Sequence, residues 1–145
     1  VGELRLSAIE VEQYLQRARD FFLGVHLMRD AVPYRNSVAL LAIHSAISYS
    51  DALRTGLGDE RLASDNHDQA ADSLRRLLQA KRVELGKGLN HLQYLLGRKS
   101  GVAYGNERLS DNELRKLILG AERFSAWAND MGKLLGLEGW TDDDG

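Results

Sequence analysis

The chain has no cysteine, a single proline and no long apolar run. The first absence excludes a disulfide framework, thiolate metal sites and a cysteine nucleophile. It suits a reducing cytosol, and a cytoplasmic location is the expectation. One proline in 145 residues disfavours a turn-rich all-β fold and favours long helices. No apolar stretch reaches about 18 residues, so no membrane-spanning helix is expected. No signal peptide is read, although the chain opens at Val1 rather than Met. Familiar site motifs are missing as well: there is no Gly-x-Ser-x-Gly elbow, no P-loop, no His-Glu-x-x-His and no Glu-x-x-His. His26, His44, His67 and His91 fall on different segments, so neither a metal site nor a cofactor is expected.

What is present reads as helix. Apolar residues recur at helical spacing from Val11 to Met28, and Ser7-Ala8-Ile9-Glu10 fits a capping box, which predicts a first helix from Ser7 to about Asp30. Pro33 marks the turn into a second helix from about Asn36 to Thr55, closed by Gly56 and Gly58. A third helix starts near Ser64–Asn66, and Gly86 and Gly88 interrupt it or its successor. A fourth covers Leu89 to Leu96, after which Gly97-Arg98-Lys99-Ser100-Gly101 predicts a loop or a distorted turn. A second capping box, Ser110-Asp111-Asn112-Glu113, opens the last long helix, which Gly136 and Gly139 close. The expectation is an all-α antiparallel bundle of four to five helices, one domain over residues 1–145. Its core spans about 7–135, and an acidic tail covers 141–145.

Two regions carry candidate chemistry. In the second helix His44, Ser48, Asp51 and Thr55 fall within about 60° of one another, flanked by apolar residues on both sides. Such a stripe needs partners or a wet cleft, because unpaired buried polar groups are costly. The helix is apolar around so much of its circumference that a symmetric homodimer is expected to cover it. The second region is basic. Residues 75–99 hold Arg75, Arg76, Lys81, Arg82, Lys87, Arg98 and Lys99 against Glu84 alone, a balance of +6. That leaves −8 on the rest of a chain whose net charge is −2. Cations that contact phosphates and a tyrosine that can stack on a base come together in Arg98, Lys99 and Tyr104. The competing readings are a solvated helix face with acidic neighbours, and an interhelical loop with Tyr104 packed as a lid.

With these residues in view the chain resembles the HEPN family, the "higher eukaryotes and prokaryotes nucleotide-binding" helical domains. Ser45-Ala46-Ile47-Ser48-Tyr49-Ser50-Asp51-Ala52-Leu53 looks like the family's small-residue second helix ending in Asp-Ala. Asp65-Asn66-His67 opens the next helix. Leu95-Leu96-Gly97-Arg98-Lys99 through Tyr104-Gly105, then Ala121-Glu122-Arg123-Phe124, looks like the lysine-to-tyrosine segment and final helix. The resemblance covers about residues 7–135. It implies a helical bundle, commonly a homodimer, with many members acting as toxins or effector ribonucleases through Arg, four to six residues and then His. At the matching place this chain has Arg98 and Tyr104, so the histidine is missing. A tyrosine with its high pKa is a poor acid or base near neutrality. Arg61 and His67 also fit the spacing, in the earlier loop. The expected function is therefore a non-catalytic or catalytically lapsed HEPN-type module. It would bind nucleic acid or a partner protein in a defence, toxin–antitoxin or RNA-handling setting. One alternative is a metal-independent ribonuclease using Arg61 and His67; the other is a structural dimerisation module.

Overall fold

The computed structural model describes residues 2–30, 34–59, 69–105 and 108–140, with side chains from residue 8 onward. It is all-helical: α1 (Gly2–Met28), α2 (Arg35–Gly56), α3 (Ala70–Ala80), α4 (Gly88–Tyr104) and α5 (Asp111–Leu134). Among the described residues there is no strand, and no helix is long and apolar enough to cross a membrane. Pro33, the expected third-helix start at Ser64–Asn66 and the acidic tail lie outside the described residues.

The central element is α2, against which α1, α5, α4 and α3 all pack. The α1 helix runs antiparallel to it: Ser45 Oγ donates to the Ala18 carbonyl at 2.8 Å, and the Phe21 ring lies against His44. The core is built from Val11, Leu15, Ala18 and Val25 of α1, the Val38–Leu53 line of α2, and Leu92, Leu95, Leu117 and Phe124 of α4 and α5. The small residues Ala39, Ala42, Ala46 and Ala52 let the neighbouring helices approach α2 closely. The apolar circumference that suggested a homodimer is thus covered within one chain: every residue from Ser45 to Thr55 is buried.

Two helix boundaries differ from the sequence reading. The first helix begins at Gly2, so Ser7 sits inside it rather than at its cap. A capping box marks a start only where the chain before it is not already helical, and Glu3-Leu4-Arg5-Leu6 are strong helix formers. The expected loop at Gly97–Gly101 is helical, and α4 continues to Tyr104. A helical glycine costs about 1 kcal/mol relative to alanine. Burial of Leu95 and Leu96 before the glycines and of Val102 after them offsets this. The second capping box is present in full: Glu113 N donates to Ser110 Oγ at 3.1 Å, and Ser110 N donates to the Glu113 carboxylate at 3.4 Å.

Both tryptophans are carried at or beyond α5. Trp127 lies on Gly88, where any Cβ would strike its ring, and its Nε1 donates to the Leu85 carbonyl at 2.8 Å. Trp140 lies on Gly132 in the same manner, and its Nε1 donates to Asn129 Oδ1 at 3.0 Å. The core therefore reaches Leu137 and Trp140, beyond the expected limit near residue 135.

Candidate functional site

The polar stripe of α2 faces α1. His44 is half-buried against Phe21, with ring centroids 5.5 Å apart, and Ser48, Asp51 and Thr55 are buried. Among the described residues Asp51 Oδ1 and Thr55 Oγ1 have no hydrogen-bond partner. Burial pushes the Asp51 carboxyl up from the ordinary 3.8 to about 6, against the opposing pull of Arg54 and then Arg17. Tyr14 sits across from it on α1; burial raises its pKa, and the charges of Asp51 and Glu10 raise it further. Arg17 covers the Tyr14 ring at 5.6 Å and leads outward to an open depression of about 590 Å³ lined by Gln13, Gln16, Arg17, Asp20 and Phe21. The stripe therefore meets the side of α1.

The sequence reading missed the most deeply buried charge. Arg54 is only 1 % exposed, and its Nε holds Asp59 Oδ2 at 2.9 Å, a carboxylate itself 7 % exposed. The signal was there. At 100° per residue Arg54 prolongs the line Ile43, Ile47, Ser50, and a cation that ends an apolar line needs a buried partner.

The basic block divides between two helices. Arg75 and Arg76 belong to α3, where Arg75 pairs with Asp72 at 3.4 Å and Arg76 bonds Ser73 Oγ at 3.3 Å. Arg82 follows α3 in a left-handed conformation with φ 58°, exposed. Arg98 and Lys99 sit on α4, half-exposed, and Arg98 Nη2 pairs with Glu113 Oε2 of α5 at 3.1 Å. Tyr104, at the last position of α4, is 87 % exposed, so it is not a packed lid.

The remaining catalytic candidates, Arg61 and His67, lie outside the described residues. Among the described residues no three His, Asp or Glu side chains gather closely enough to hold a metal ion. Compared with known proteins, the chain matches no family model, no curated protein and no solved structure.

Proposed function

We propose that this chain is a non-catalytic HEPN-type module that binds nucleic acid through the second half of α4. The observation that carries the reading is the exposed Tyr104 at the end of a helix that also presents Arg98 and Lys99. An aromatic ring held in water on the same helix half as two cations offers a base a stacking surface and its phosphates a counter-charge, around the helix rather than on one face. The resemblance supports the same class of ligand, and with it a role in defence, toxin–antitoxin control or RNA handling. Tyr104 in place of histidine argues against RNA cleavage, because acid–base catalysis needs a group titrating near the working pH.

The test is fluorescence anisotropy of a labelled single-stranded RNA with the purified chain across a salt series. Binding should weaken as salt rises, and Arg98→Ala with Lys99→Ala should weaken it further without lowering the melting temperature. Absence of binding at low salt would sink the reading. If RNA is cut, His67→Ala decides whether Arg61 and His67 form a ribonuclease site. A homodimer remains part of the proposal on different grounds. With α2 covered, one apolar surface left for pairing among the described residues is the outer line of α1, where Leu23 and Leu27 stand 56 % and 76 % exposed one turn apart. Leu27→Glu should then shift light scattering toward monomer.

A further inference from the structure

We infer that the outer face formed by α4 and α5 together is a track for single-stranded nucleic acid, with Tyr94 as a base-stacking platform between cations contributed by both helices. The inference rests on the nucleic-acid reading above and extends it from the end of α4 to a second surface.

Lys87, the residue that caps α4, and His91, Tyr94 and Arg98 within it follow the spacing i, i+4, i+7, i+11, which places them on one line along the helix. On α5 the same spacing joins Lys116, Gly120, Arg123 and Trp127. The helices are antiparallel, and the two lines lie side by side. Arg98 bonds Glu113 at one end, the Tyr94 ring lies over Gly120 in the middle, and Trp127 reaches the Leu85 carbonyl at the other. Arg123 lies close to His91: burial lowers the His91 pKa and the Arg123 charge lowers it further. Gly120 is what makes the middle flat. A Cβ built there would touch Tyr94 Cδ1 at 3.7 Å and Leu95 at 3.6 Å, so the absence of a longer side chain lets the phenol ring rest across α5.

The charged residues of the two lines are cations. Acidic residues stand at the ends of the face: Glu113, engaged by Arg98, at one, and the exposed Glu84 and Asp130 near Trp127 at the other. Tyr94 is 40 % exposed in the midst of these cations, and Trp127 beyond it is half-buried. Cations spaced along a face with an exposed ring between them suit a strand whose bases are free to stack, whereas a paired duplex keeps its base faces covered. The ligand chemistry that fits is a flexible polyanion with flat aromatic groups.

The experiment uses anisotropy of a labelled oligoadenylate of about 12 nucleotides, within the range one such surface occupies. The competitors are inorganic polyphosphate and a duplex of the same length. Tyr94→Ala should weaken binding by about fivefold or more, the lower end of what one stacked base contributes, and Tyr94→Phe should keep it within about twofold. Arg123→Ala should weaken binding and reduce the salt slope by about one phosphate contact. Unlabelled oligoadenylate should compete better than either the duplex or polyphosphate. If Tyr94→Ala and Arg123→Ala bind as the parent does while the Arg98, Lys99 double variant is impaired, the track is wrong and the nucleic-acid reading stands. If polyphosphate or duplex competes as well as the single strand, the stacking platform is wrong. If the parent chain binds no oligonucleotide at low salt, both fall. Circular dichroism of each variant separates loss of binding from loss of fold.

Discussion

Arg54 and Arg98 both pair with a carboxylate, at 2.9 Å and 3.1 Å, yet they belong to opposite regimes. The Arg54–Asp59 pair is almost wholly removed from water, at 1 % and 7 % exposure; Arg98 and Glu113 stand 39 % and 46 % exposed. In the interior, desolvation makes each charge dependent on its partner. On the surface, water screens the pair and leaves the cation available to exchange its carboxylate for a phosphate. The lesson is that the protein separates charges that hold it together, at the end of α2, from charges that can serve a ligand, on α4 and α5. A count of cations in the sequence does not distinguish the two kinds.

The contrast can be broken most directly at the interior pair. Arg54→Met keeps the bulk but removes the buried cation paired with Asp59, and should cost about 3–5 kcal/mol in urea unfolding. A loss below about 1 kcal/mol would mean that water already reaches the pair, and the distinction between the regions would collapse.

Asp51 supplies a smaller and oppositely signed effect. Its pKa is raised to about 6 in the fold, so the folded state holds this proton more tightly than the unfolded chain does. The proton is bound in both states below about pH 4, and there the group has no effect. As pH rises from about 4 through 6, the unfolded chain releases it first and the native state loses stability. Asp51→Asn removes that loss. It should stabilise the protein by roughly 2–3 kcal/mol at pH 7 and leave it nearly unchanged at pH 4, measured by unfolding at both values. Equal stabilisation at both pH values would show that the carboxylate is not penalised by burial.

The smallest stability change belongs to the surface. Arg98→Ala should alter unfolding by less than about 1 kcal/mol, while weakening RNA binding in the same preparation. A large loss of stability here would place Arg98 with the interior charges and remove it from the ligand surface.

The fold was largely legible because periodicity and capping are local. Ser110 and Glu113 stand at a true helix start, and both hydrogen bonds of the box form. The same pattern misled at Ser7, where helix-forming residues precede it and α1 has already begun. Gly97 and Gly101 misled in the other direction, because the weak local preference of glycine yields to the burial of Leu95, Leu96 and Val102. The site was less legible for a related reason. The stripe of His44, Ser48 and Asp51 is a property of one helix and could be read from spacing; its burial against Tyr14 and Arg17 depends on how two helices dock. The pairing of Arg54 with Asp59 required a turn past Gly56 and Gly58 that no periodicity encodes. The register that lays Tyr94 across Gly120 exists only once α4 and α5 are side by side.

The seating of each indole on a glycine gives the molecule two optical gauges. Trp127 is bound to the Leu85 carbonyl ahead of α4, and Trp140 to Asn129 near the end of α5. Each ring therefore emits from a junction rather than from the middle of the core. Opening of the segment before α4 would shift the light from Trp127 to the red, and peeling away of the C-terminal turn would shift that from Trp140. With one ring replaced by phenylalanine at a time, the order in which the two ends come apart can be followed by native emission with no added dye.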